Sequence, residues 1–232
     1  MPEELSSTRA NHAADVTATH KFFLLFVFLL GYLIFYPYTQ TSTAGYYTFR
    51  VLAVAITILM VYAISFRRSL VIVGLALAIP DPLEHLRILQ VDASAASVAN
   101  ICLTFAFDAF IIVVIFRRVF VHGRPNSETI FGALCIYLLL GFSFANIYAL
   151  LARLQLHAFY LSPETNLHAL PNRFDFIYYS FGTMTSLGAP GITAVSDQAR
   201  SLSVIEAMLG VLYLAVLISR LMGTYRTGAP RE

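Results

Sequence analysis

Asn100, Thr104 and Asp108 recur at four-residue spacing inside a strongly apolar run, which sets an amide, a hydroxyl and a carboxyl on one face of a helix. A carboxylate in such surroundings needs a partner or a proton. Asp108 is therefore read either as a proton or ion sensor or, more plainly, as a hydrogen-bonded packing group. Glu206, in the last apolar run, poses the same question. Catalysis finds no support: there is no Gly-x-Ser-x-Gly, His-Glu-x-x-His, Walker loop or paired-cysteine motif. His12, His20, His85, His122, His157 and His168 are scattered through tails and connecting segments and read as surface residues. Cys102 and Cys135 fall inside apolar runs, where lone cysteines behave as small apolar side chains. Neither an enzyme activity, a disulfide, a metal site nor a cofactor is expected.

The elements that must position these groups lie in lipid. With 58% apolar and 12% charged residues and a mean hydropathy of +0.73, the chain is integral to a membrane. A helix needs about 17 to 25 apolar residues to cross the hydrocarbon. Five runs qualify: Phe22–Tyr38, Tyr46–Phe66, Ala95–Phe116, Ile130–Leu151 and Leu202–Met222. A sixth, Leu70–Ile79, is stopped by Pro80 and Pro82; it spans with a kink through Leu83–Leu89 or dips in part-way, and is counted as a span. Phe22–Tyr38 reads as an anchor helix, being longer than a signal-peptide core and lacking a prompt cleavage site.

Charge placement tests that count, because short cytoplasmic loops collect Lys and Arg. With both termini cytoplasmic, the inner segments hold Arg9, Lys21, Arg67, Arg68, Arg117, Arg118, Arg124, Arg220, Arg226 and Arg231, and the outer ones Arg50, Arg87, Arg153, Arg173 and Arg200. Dropping the short third span would put the Arg117–Arg124 cluster outside. The net charge of +2 is thus a topology signal and implies no nucleic-acid partner.

The plan is all-α, with six transmembrane helices arranged 4 + 2. A cytoplasmic tail (1–20) precedes a four-helix membrane domain (21–118), a cytoplasmic linker (119–127), a C-terminal membrane unit (128–223) and a second tail (224–232). Between the last two spans, Phe174–Leu187 is too short to cross and too apolar to lie in water, so it is expected to be a re-entrant helix. The non-helical backbone after it must line a cavity or be buried in protein.

Three stretches carry a family resemblance: Ser127–Gly141 (Ser-Glu-Thr-Ile-Phe-Gly-Ala-Leu-Cys-Ile-Tyr-Leu-Leu-Leu-Gly), Phe174–Thr193 and Ala199–Gly223. Together they resemble the bacterial two-transmembrane-type, potassium-channel-like ion-channel domain, here with four added N-terminal helices. The resemblance implies a homotetramer in the cell membrane, in contact with the lipid bilayer, that conducts monovalent cations such as K+ or Na+. It makes the re-entrant segment, about Phe174–Thr185, a pore helix whose negative dipole end points at the cation path. It also makes Thr185, Ser186, Leu187, Gly188, Ala189, Pro190 and Gly191 the selectivity filter.

Family filters read Thr-x-Gly-Tyr-Gly-Asp, with carbonyls turned inward to replace the water around a cation. Ser186 falls at the Thr position, Leu187 at the variable one and Gly188 at the first Gly, so this half keeps its chemistry. Ala189, Pro190 and Gly191 stand at Tyr, Gly and Asp. Proline is fixed near φ of about −65°, so Pro190 should redirect the chain and displace the outer carbonyl ring. Weak discrimination between K+ and Na+ is the expectation.

The resemblance also suggests that Gly210 is a hinge, although glycine equally serves close helix packing. It places Val211, Leu214, Ile218 and Met222 on the conduction path, where apolar side chains would allow gating by dewetting. Glu206 is assigned to bracing behind the pore helix, with Arg200 nearby. The alternatives are a non-conducting or regulatory channel-like protein and, less favoured, a small-solute transporter, which would usually show interrupted helices in both halves. Voltage sensing by gating charges is disfavoured, since the fourth helix has no basic residue before Arg117 and Arg118. Gating is expected to arise from the membrane domain itself, a partner, lipid or pH.

Overall fold

The long apolar runs form helices because nothing in them competes for the backbone, and the breaks fall where proline, glycine and polar residues cluster. The computed structural model describes residues 21–36, 38, 43–65, 68–78, 95–122, 127–166 and 170–227. In chain order the elements are α1 (Lys21–Phe35), α2 (Thr43–Ala63), α3 (Arg68–Ala78), α4 (Ala95–Phe116) with a π-helical continuation Arg117–His122, and α5 (Ser127–Leu154). They are followed by β1 (Phe159–Leu161), α6 (Arg173–Met184), β2 (Ile192–Ala194) and α7 (Asp197–Thr227).

Among the described residues, three helices are long and apolar enough to cross a membrane: Val98–Val121, Glu128–Leu154 and Asp197–Arg220. They match three of the expected spans and, with the rest of the helices, make the chain a mostly helical one. The apolar stretches of the other helices are shorter: Lys21–Phe35, Val51–Ala63 and Ser69–Ala78. α1 has 15 residues and α3 has 11, so α1 reaches about 22 Å at 1.5 Å per residue. The tract Pro80–Leu89, through which the third span was expected to continue, lies outside the described residues, as do the tail 1–20 and residues 123–126 of the linker. The rest of that linker is helical: the π-helical turn occupies Arg117–His122, and α5 begins at Ser127. α7 runs on to Thr227, past the boundary expected at 223.

The chain divides into two compact units, residues 1–76 with 113–136, and residues 77–112 with 137–232. In the first, α1 packs on α2. Phe22, Leu25 and Leu29 share one face of α1 at helical spacing and are buried, as are Ile56, Met60 and Ile64. Phe131 meets Phe23 edge-on at 5.0 Å between centroids. Gly132 leaves room for Val119, which a Cβ at this position would approach to 2.7 Å. Cys135 donates to the Phe22 carbonyl at 3.4 Å and is buried, as a small apolar residue would be. Lys21 bonds Ser65 at 3.1 Å and lies 4.4 Å from the centroid of Tyr62.

The second unit contains what the purely helical expectation lacked. β1 and β2 form a two-stranded antiparallel ladder that pairs Phe159 with Ala194, Tyr160 with Thr193 and Leu161 with Ile192. Phe159, Ile192 and Ala194 turn inward while Tyr160 and Thr193 stay exposed, the alternation of a half-buried strand. Phe159 packs edge-on against Tyr148, Phe176 and Tyr179 at 5.5, 5.2 and 5.4 Å. This aromatic cluster fixes the ladder to α5 and α6.

Candidate functional site

Local chemistry explains why α6 is a separate short helix. Asn172 caps it: the side-chain oxygen accepts from the N–H groups of Phe174 (2.7 Å) and Asp175 (3.1 Å), and Asp175 accepts in return from the Asn172 N–H at 2.7 Å. This is a reciprocal capping box. At the other end Thr185 donates through its N–H and its hydroxyl to the Phe181 carbonyl, at 3.0 and 2.6 Å. Ser186 then takes a left-handed φ of 60° and its N–H bonds Thr183. The result is a 12-residue helix, Arg173–Met184, where Phe174–Thr185 was expected.

The 185–191 loop folds back on this helix. The Gly188 N–H donates to the Gly182 carbonyl at 3.0 Å. The Gly188 carbonyl also faces the helix, since a Cβ on Gly182 would stand 2.5 Å from its oxygen. Gly188 has φ +85°, the positive value expected for it. Ala-Pro-Gly-Ile then makes a β-turn closed by Ile192 N–H to Ala189 C=O at 3.2 Å, with Gly191 at φ +97°. Proline second and a positive-φ glycine third are the signature of a type II turn.

Pro190 thus redirects the chain, and the fate of each carbonyl follows. The Ala189 oxygen is spent on Ile192. The Gly191 oxygen accepts from Ser162 N–H at 2.9 Å and from the Asn166 side-chain amide at 2.8 Å. The carbonyls of Thr185, Ser186 and Leu187 accept no hydrogen bond among the described residues. Their side chains are exposed, Leu187 by 83%.

Behind the loop lies a polar cluster. Glu206, on α7, is fully buried. Tyr148, on α5, donates to its Oε2 at 2.6 Å, and Ser180, on α6, bonds its Oε1. Ser180 also reaches the Gly141 carbonyl at 2.7 Å. One hydroxyl has one proton and the Gly141 oxygen can only accept. Every group is satisfied when Ser180 donates to Gly141 and accepts a hydrogen bond from the O–H of a protonated Glu206 carboxyl. The glutamate therefore sits behind the helix it was expected to brace. Arg200 does not join it: its Nε donates to the Ala194 carbonyl at 3.3 Å, which ties the start of α7 to β2.

Gly210 is buried, and a Cβ there would fall on the Met184 carbonyl oxygen, at the end of α6. Close approach of α7 to α6 is its visible use. Val211, Leu214, Ile218 and Met222 are all exposed, together with Val204, Met208 and Leu212 on the same helix. Asp108 is buried and accepts from the Asn146 amide of α5 at 3.1 Å. Asn100 and Thr104, from the same face of α4, line a cavity of about 400 Å³ with Asn146, Arg153 and Phe176.

Sequence reasoning overlooked Asn166, Ser162, Tyr148 and Ser180. Ala189–Ile192 carried a turn signal that reading it as a filter variant obscured. Tyr148 and Ser180 had none, because a hydroxyl inside an apolar helix shows its purpose only once its partner is placed.

Residues 129–226 match the family model described as "Ion channel", a two-transmembrane, potassium-channel-like domain. No curated protein and no solved structure matches the chain. The matched stretch takes in all but the first two residues of α5, all of α6, the 185–191 loop and all but the last residue of α7. It supports a potassium-channel-like ion channel, and with the three long apolar helices a multi-pass membrane protein, and it suggests a non-enzyme.

Proposed function

We propose that the chain forms a homotetrameric, weakly selective channel for monovalent cations such as K+ and Na+, with α6 as the pore helix and Thr185–Gly191 as a shortened filter. One observation carries this reading. Directly after a short capped helix, the carbonyls of Thr185, Ser186 and Leu187 have no hydrogen-bond donor, whereas those of Ala189 and Gly191 are consumed within the chain. Unpaired carbonyls at membrane depth need a ligand, and a partly dehydrated cation supplies one. Fewer coordinating rings than a full filter provides means less discrimination.

The exposed apolar residues of α7 fit a helix shared among lipid, neighbouring copies and an apolar gate at Val211, Leu214, Ile218 and Met222. The α6 dipole adds a modest attraction for cations at its C-terminal end. The distribution of Lys and Arg supports cytoplasmic termini.

A second reading, a channel-like protein that conducts nothing, rests on the inward-turned carbonyls of Gly188, Ala189 and Gly191. Purified protein in planar bilayers, bathed in K+ on one side and Na+ on the other, separates the two. A cation current reversing near zero millivolts supports the first; no current under any pH or voltage sinks it.

A further inference from the structure

We propose that Asn166 is a positioning residue that clamps the outer turn of the filter, which rests on the pore assignment above. Its side-chain amide has two protons and its nearest acceptors are two carbonyls, Gly191 at 2.8 Å and Ser162 at 2.9 Å, with the Thr165 hydroxyl farther off at 3.2 Å. Because both targets are carbonyl oxygens, the nitrogen must face them, and no exchange of the amide's two ends satisfies the site.

The arrangement is built by three further contacts. Leu161 pairs with Ile192 at the end of the β1–β2 ladder, and the next N–H, of Ser162, donates to Gly191. The Ser162 carbonyl gathers the N–H groups of Thr165 (3.3 Å) and Asn166 (3.2 Å), which closes residues 162–166 into a tight loop. That loop lies so close to the turn that a Cβ on Gly191 would stand 2.6 Å from the Thr165 hydroxyl. Gly191 is thus held at φ +97° with its carbonyl turned into the protein.

The consequence concerns conduction. A full filter keeps its carbonyls turned onto the ion path. Here the outer turn is pulled off the path and held by the 162–166 loop, a segment that precedes the pore helix in sequence. The outer entrance is kept open by a hydrogen bond from Asn166.

Single-channel recording in symmetric K+ tests this with Asn166→Ala and Asn166→Leu, the latter nearly isosteric and without donors. Freed of its clamp, the turn obstructs entry from the outer side while leaving entry from the inner side alone. The inward conductance is expected to fall relative to the outward one by about fivefold, the factor that one net hydrogen bond represents. Asn166→Gln, which retains the amide, should recover part of the ratio. General misfolding would lower both directions together. A wild-type ratio in both Asn166→Ala and Asn166→Leu overturns the clamp. Should the native protein pass no current at all, the channel assignment fails separately. The clamp is then decided by amide exchange in the lipid-embedded protein: about fivefold faster exchange at Ser162 in Asn166→Leu supports it, and unchanged exchange overturns it.

Discussion

Tyr148 and Glu206 meet at 2.6 Å between two of the long apolar helices, the phenol of α5 donating to a fully buried carboxyl of α7. With Ser180 from α6 on the other carboxyl oxygen, three helices share one acid. Glutamine reproduces this geometry, because its carbonyl can accept from Tyr148 and its amide can donate to Ser180. Glu206→Gln should therefore change stability by less than about 1 kcal/mol, whereas Glu206→Ala takes from the Tyr148 phenol its carboxyl acceptor, leaves Ser180 with the Gly141 carbonyl alone, and should cost about 1 to 3 kcal/mol. Reversible unfolding in mixed micelles measures both. Equal losses in the two variants would mean that a charge on the carboxyl, rather than its hydrogen bonds, is what the site uses.

Gly210 offers a choice between hinge and spacer. As a spacer it lets α7 touch the Met184 carbonyl, backbone that has no rotamer through which to yield. Gly210→Ala should then lower the thermal midpoint of the purified protein and weaken α6–α7 packing, even though alanine favours a helix over glycine by about 1 kcal/mol. Were the residue only a hinge, the same change would raise the midpoint and alter opening rates alone.

Asp108 is held by Asn146 across α4 and α5. Interhelical hydrogen bonds in membranes average about 0.6 kcal/mol and reach about 1.7 kcal/mol. Asp108→Ala is expected to destabilise within that range, and Asp108→Asn, which still accepts from Asn146, by less. Under the channel reading, Asp108→Asn should leave the pH dependence of current unchanged; a shifted profile would restore the sensing role.

The helical plan of this chain was legible from apolar length, and the bounds of α4 were recovered as read, Ala95–Phe116. The C-terminal unit was legible because Phe174–Leu187 is too short to span, so it had to be something other than a crossing helix. Pro190 declared its effect through a fixed φ, and the chain does turn there. The β1–β2 ladder escaped notice because strands of three residues carry too little alternation to register. The resemblance set Arg200 near Glu206 in bracing the pore helix. Six residues along a helix put the two side chains on different faces, and the guanidinium instead finds the Ala194 carbonyl.

Gly182 and Gly188 give the sharpest test of the loop itself. A methyl group on Gly182 would stand 2.5 Å from the Gly188 carbonyl oxygen and 3.2 Å from the Ala189 Cβ, so the loop must move off α6 to admit it. A methyl group on Gly188 meets nothing within 4 Å and adds only the strain of φ +85°, about 1 to 2 kcal/mol. Gly182→Ala is therefore expected to reduce unitary cation current the more severely, by about tenfold if the displaced carbonyls add about 1.4 kcal/mol to the barrier. Gly188→Ala should retain most of the current and lose mainly thermal stability. Recording both variants beside their unfolding midpoints checks the order. If Gly188→Ala abolished current while Gly182→Ala passed it unchanged, the loop would not rest on the helix in the conducting state, because only a loop packed against α6 makes Gly182 the more demanding position.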